Sequence, residues 1–404
     1  MFNSPPRDHH DLGSDAQKVI GMSERDELMI PGPTNIDPAV MRAMIRTTES
    51  HMGEPFGMRY RQVLDKLKKV FAVEGEAIAL AGSGTLAQEI AVANLVNRGD
   101  KVLNLVTGYF SGRFVEITQR LGAVSHPLTV EWGKAIKPEA VSRELSKDEF
   151  KLVTCAHVET STGVTIPIRE IGEAVQAAGA QFIVDTVASL GGMEVKTEEW
   201  GITLNCTCSQ KCIAVPPGLS LLGLSKRGLE EVEKRTTQVQ TFYGDLKGWV
   251  NLARNATRGY YSTQPVNLIY ALDAALDQIL AEGLDRRIRR HRIIAEAFRK
   301  AMVAMGLRLA AEEGYAADTV TSVNYPDRID DVAFRQEMTR NNVAVARGVS
   351  NLEGKIFRVG HMGAVNANDL VATVAAIERT MKKMGHHFEY GDGCRAAQLE
   401  LEKL

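Results

Sequence analysis

The chain has no apolar run near the roughly 18 residues that a membrane-spanning helix needs. Nor does it carry a surplus of either charge: 48 basic side chains face 50 acidic ones, for a formal net charge of −2. The first absence speaks against a helical membrane protein. The second removes the long-range pull that draws basic proteins to nucleic acid or to an anionic membrane. The first 30 residues lack the charged start and apolar centre of a secretory signal, so a cytoplasmic protein is expected. Five cysteines (Cys155, Cys206, Cys208, Cys212 and Cys394) are few and odd in number for a chain of 404 residues, which is no disulfide framework. Three of them cluster, but no CxxC pair or matching histidine completes a four-ligand metal set. Small apolar packing is the better reading of that cluster. No internal repeat is visible.

What is present points to two domains. A chain of 404 residues, 44% hydrophobic, can bury more than one core. Residues 1–27 are polar and read as a loose arm, with His9 and His10 part of a solvated tail. Beyond them, helical patterns alternate with short apolar runs. Helices are predicted over Tyr60–Phe71, Leu86–Val96, Arg113–Leu121 and Ile168–Ala178, and strands over Ala77–Leu80, Lys101–Val106, Leu152–His157 and Gln181–Asp185. Such alternation predicts a mostly parallel sheet covered on both faces, and nearly all-apolar runs such as KVLNLV and FIVD suit its buried strands. A long helix from Val266 to about Gly283 is expected to lead out of a large domain, 28–284, whose first residues pack on a smaller α/β domain, 285–404. The run Arg286, Arg287, Arg289, Arg290 and Arg292 reads as a solvated helix face rather than an anion surface.

Three segments carry chemistry. AGSGT, Ala81–Thr85, lies between a strand and a helix. Its glycines allow a tight turn, its amides and hydroxyls converge, and the helix adds its positive end, which together make a phosphate cradle. Structural uses of such a turn are also common. Asp185 ends the strand QFIVD, and a carboxylate there faces the crevice where α/β proteins bind ligands; capping the next segment is the competing role. Beside a pyridine ring it would keep the ring nitrogen protonated, with Val187 pressing on the ring face. In SQKCIAVPPG, Lys211 stands among small residues before Pro-Pro-Gly. Desolvation would make its amine a better imine former.

The order GSGT, HVETSTG, IVDTVASLGG, CSQKCIAVPPG and FRVGHMG resembles the class V aminotransferases of the pyridoxal-phosphate fold type I. The alanine–glyoxylate, serine–glyoxylate and serine–pyruvate group is nearest, over about residues 28–385. The resemblance implies an α/β fold with a mostly parallel, seven-stranded type of sheet sandwiched by helices, plus a smaller α/β C-terminal domain. It implies pyridoxal 5'-phosphate held as an imine on Lys211. Ser83, Gly84 and Thr85 match the phosphate turn, and Gln210 a further phosphate contact. Phe110 matches the ring-stacking position, where many relatives have tryptophan. Thr160 matches a hydroxyl that supports the ring oxygen, and Asp185 the ring-nitrogen partner. Tyr260 and Thr263 match positions that reach the neighbouring subunit's phosphate, which implies a homodimer with shared sites. Arg358 matches the substrate-carboxylate arginine, and its planar fork suits that task.

The implied activity is a ping-pong transfer of an amino group from a small amino acid, alanine or serine, to a small 2-oxo acid, glyoxylate or pyruvate, with Lys211 as base and acid. Four other readings were weighed. A lyase of the cysteine desulfurase type needs a nucleophilic cysteine in the second domain, where only Cys394 lies. Pyridoxamine–pyruvate transamination is disfavoured by the intact GSGT turn, and a non-catalytic relative by the joint presence of Lys211, Asp185 and Arg358. An aminotransferase for an unusual small amine stays open. His51 lies where the family has a histidine–arginine pair, but Met52 replaces the arginine. His361 reads equally as a pocket or a structural histidine, and residues 241–258 as a pocket wall from across the dimer.

Overall fold

A computed structural model describes residues 27–404; most of the expected N-terminal arm, including His9 and His10, lies outside the described residues. A seven-stranded sheet forms the centre, in the order Glu76–Ala81, Leu219–Leu224, Leu204–Cys208, Gln181–Asp185, Leu152–Ala156, Lys101–Val106 and Val124–Thr129. Six strands run one way, and Leu219–Leu224 is antiparallel to both neighbours. Strands Leu219–Leu224, Gln181–Asp185 and Leu152–Ala156 are buried along their whole length, because helices cover both faces, and this is why they are largely apolar. This is the α/β architecture expected of the sequence.

The direction of the sheet decides where the chemistry collects. Ala81, Asp185 and Cys208 end strands that point the same way, so the turns after them meet at one edge. A second sheet is antiparallel throughout, in the order Arg308–Leu309, Val320–Asn324, Ile356–Gly360 and Ala346–Arg347. It has a core of its own, built from Phe298, Met302, Phe334, Phe357 and Ile377 among others. Met29 joins that core, and Glu27–Leu28 pairs in parallel with Val343–Ala344. No helix of the described residues is long and apolar enough to cross a membrane.

Three expectations need correction. Helix Tyr109–Arg120 begins one turn before the predicted Arg113, because its first amides find a distant partner: Glu159 accepts from Phe110 and Ser111 at 2.9–3.2 Å. Similarly, Gly53 and Pro55 open helix Glu54–Phe71 at Glu54 instead of Tyr60. More consequentially, the arginine run is not a solvated face throughout. Arg287 is 6% exposed and Arg290 is largely covered, both tied to Glu282 and to backbone carbonyls. Helical spacing reveals which residues share a face, but not that three loops will descend on it.

The turn before strand Leu204–Cys208 leaves no slack against one of the helices. On helix Ile168–Ala177, a Cβ at Gly172 would sit 2.1 Å from the Trp200 carbonyl oxygen. Gly172→Ala is therefore expected to destabilise the protein by about 1–3 kcal/mol, the usual range for overpacking, seen as a lower urea midpoint with unchanged helix content.

Candidate active site

At the carboxyl edge of the sheet lies a cavity of about 160 Å³ lined by Ser83, Gly84, Thr85, Gln88, Phe110, Arg113, Val158, Thr160, Asp185, Val187, Cys208, Gln210 and Lys211. Ten of these thirteen come from four separate motifs of the sequence, and the fold brings them together. Ser83 caps helix Gly84–Leu95 by accepting from the Leu86 amide at 3.2 Å. Gly84 and Thr85, in the first turn, have no carbonyl one turn back to bond, so this end of the helix favours an anion. Packing at Gly84 is also tight, since a Cβ there would lie 3.0 Å from Val187 and 3.4 Å from the Cys208 sulfur.

Asp185 lines the same cavity. Its Oδ1 accepts from the Val187 amide at 2.7 Å, and Oδ2 from Gln88 Nε2 at 2.5 Å. The local capping role is therefore real, and it accompanies the cavity position. Burial raises its pKa from 3.8 to about 6, against the opposing effect of those two donors.

Lys211 is held from above by the N-terminal segment. Its Nζ donates to the Pro31 carbonyl, and Thr34 Oγ1 donates to the Lys211 carbonyl at 3.1 Å. Gly32 has φ +105°, a conformation that favours glycine, and a Cβ there would come within 2.5–2.7 Å of the lysine side chain. Burial lowers the lysine pKa, opposed by the Cys208 thiol and reinforced by Arg358. Arg358 flanks the cavity on the antiparallel sheet. Its Nε donates to the Arg347 carbonyl at 2.8 Å and its Nη1 to that of Thr160 at 3.0 Å. Burial pulls it down to about 10, still cationic at neutral pH, and Glu159 supports the charge.

Some expected residues lie elsewhere. Tyr260 and Thr263 are exposed and off this cavity; the Tyr260 ring lies 5.8 Å from that of His51. His361 is a buried structural residue, its Nε2 bonded to Thr321 Oγ1 at 2.8 Å and its ring against Phe298. Cys206, Cys208 and Cys212 are all buried, and burial pushes the Cys394 thiol up to about 11, away from the cavity lining.

The sequence reading missed Gln88, Arg113, Val158 and Cys208. Gln88 follows Gly84 by one helical turn, so its spacing was a usable signal. Arg113 follows Phe110 by three residues; it donates to Thr85 Oγ1 at 2.7 Å and stacks 5.2 Å from the Phe110 ring. Pro31, Gly32 and Thr34 gave no signal at all.

Comparison with known proteins identifies the family of the chain. The family described as Aminotransferase class-V matches residues 30–375. An uncharacterized aminotransferase of Methanocaldococcus jannaschii is 43% identical over 360 residues, covering 89% of this chain and 93% of that protein. The serine–glyoxylate aminotransferase of Methylorubrum extorquens is 35% identical, covering 94% and 96%. The crystal structure of ureidoglycine–glyoxylate aminotransferase from Bacillus subtilis superimposes with a TM-score of 0.90 at 31% identity, over 94% of this chain and 99% of that one.

A raised carboxyl pKa has a measurable consequence. Asp185 supports the fold fully below pH 3.8, where it is protonated in either state, and that support is lost as pH rises through about 6. Above that, charging it in the apo-protein costs roughly 3 kcal/mol. Asp185→Asn stays neutral, and its amide can turn to the free Gln88 Oε1. The apo-variant is expected to be more stable than wild type at pH 8 and to lose that advantage near pH 4, as measured by urea unfolding across pH.

Proposed function

The chain belongs to the class V aminotransferase family, and from that premise we propose that it moves an amino group from alanine or serine to glyoxylate or pyruvate, with pyridoxal 5'-phosphate bound in the cavity described. The observation that carries this reading is the convergence of a helix-end turn, a buried carboxylate and a desolvated amine around one cavity. A phosphate, a ring nitrogen and an aldehyde fit those three groups in that order. Ser83, Gly84, Thr85 and Gln210 would hold the phosphate. Phe110 and Val187 would flank the ring, Thr160 would support its oxygen, Asp185 its nitrogen, and Lys211 would form the covalent link. When bound, the cofactor supplies an electron sink that acidifies the hydrogen on the substrate's α-carbon.

The protein supplies the rest. Arg358 has Nε and Nη1 committed to carbonyls, which fixes its plane and leaves Nη2 and one Nη1 hydrogen for a carboxylate. A bidentate grip there orients the α-carbon toward Lys211. Lys211, its ammonium form disfavoured by burial, takes the α-proton and returns it, serving as base and then acid. With one amine and one carboxylate arginine, donor and acceptor use the same place in turn, which is the requirement for ping-pong kinetics. Tyr260 and Thr263, exposed in the single chain, suit contact with the phosphate of a second subunit in a homodimer.

Absorption spectra test the reading. The visible band of the lysine-bound cofactor should bleach with alanine or serine and return on adding glyoxylate or pyruvate. No visible band after adding the cofactor would sink the proposal; a band that no amino donor changes would sink the substrate assignment. Lys211→Ala should lack the band and turnover alike. Arg358→Gln should chiefly raise KM for the amino acid, by about 10²-fold for a lost charge-assisted pair, and an unchanged KM would remove its assigned role.

A further inference from the structure

Arg287 lies on helix Leu284–Ala304, outside the cavity, yet its guanidinium touches three loops that carry the site. Nε donates to the Gly191 carbonyl at 2.9 Å, and Nη2 to those of Cys212 at 2.8 Å and Gly363 at 3.2 Å. Nη1 pairs with Glu282 at 2.7 Å, which balances the buried charge. Gly191 follows the strand that ends in Asp185, Cys212 follows Lys211, and Gly363 follows the strand that bears Arg358. One turn along the helix, His291 Nε2 accepts from the Gly363 amide at 2.9 Å, and Nδ1 bonds the Arg287 carbonyl at 2.8 Å. Burial keeps that imidazole neutral, as an acceptor at Nε2 must be.

The three loops differ in what else holds them. Arg358 sits in a strand paired on both sides, and Asp185 ends a strand in the middle of the large sheet. Lys211 has no ladder; it lies in the loop between Leu204–Cys208 and Leu219–Leu224. The clamp therefore has its greatest leverage on the lysine. A rigid fork can serve three carbonyls at once, whereas a lysine ammonium on a flexible stem cannot hold the same geometry.

Resting on the functional reading above, we infer that Arg287 is a positioning residue that keeps Lys211 in register with Asp185 and Arg358. Arg287→Lys keeps the charge opposite Glu282 and removes the fork. Its kcat should fall on the order of 10- to 100-fold while KM for the amino donor moves less than about 3-fold, since a misplaced base slows the proton step without loosening the carboxylate grip. In the apo-protein, hydrogen exchange should speed up in the peptide over 209–215 and stay unchanged in Leu152–Ala156. His291→Leu removes the acceptor of the Gly363 amide and the bond to the Arg287 carbonyl but leaves the guanidinium fork, and should show a smaller rise in the same local exchange with a smaller loss of kcat; it serves if Arg287→Lys does not fold. A folded Arg287→Lys with unchanged kcat would overturn the inference. So would faster exchange spread evenly over the chain, the sign of a merely structural role. A wild-type protein without transaminase activity would sink the functional reading instead, and leave the exchange result to decide whether Arg287 fixes the lysine loop.

Discussion

An amine that must react at neutral pH has to be kept out of water, and burying it removes the solvation that would otherwise hold its charge. Much of this architecture answers that single requirement at Lys211. The lysine lies past the end of a central strand, under a segment from the far N-terminus, with Pro31 accepting from its Nζ and Gly32 passing close above its side chain. Arg358 adds a second cation that discourages protonation further. The cost of desolvating the charged groups there is offset by fixed donors and acceptors. Gln88 and the Val187 amide face Asp185, and the carbonyls of Thr160 and Arg347 face Arg358.

Those pairings also tie the two sheets together. Arg358 belongs to the antiparallel sheet but bonds Thr160, in the turn that follows a strand of the large sheet. Glu159, beside it, is buried and accepts from the first amides of helix Tyr109–Arg120, the helix that carries Phe110 and Arg113. One short segment, HVETSTG, thus holds the helix on one side and the arginine on the other. Its last residue, Gly163, packs close to Ser322, and Thr165 and Ala317 donate to carbonyls across the same seam. A displacement of either sheet would be felt at the cavity.

Much of this was legible beforehand, for a definable reason. Phosphate-cradle turns, strand-end carboxylates and lysines before Pro-Pro-Gly are local patterns: neighbours in sequence make them, so order and spacing report them faithfully. Gln88 was within reach for the same reason, one helical turn from Gly84. The helix start at Tyr109 was not, because its partner Glu159 lies about fifty residues away in sequence. Nor was the burial of Arg287, whose partners are loops at Gly191, Cys212 and Gly363. A run of arginines on one helix looks solvated until something packs on it.

The sequence alone determined the alternation of strand and helix, hence a parallel sheet whose strand ends gather at one edge, and it named the motifs at that edge. Apolar periodicity and turn chemistry are properties of neighbouring residues, and they survive reading in one dimension. Tertiary structure alone decided which distant segments cover Lys211, which carbonyls orient Arg358, and which arginines of the helix at 284–304 turn inward. Those choices follow from how two cores meet. The contacts that fix them join residues tens to hundreds of positions apart, where spacing carries no information.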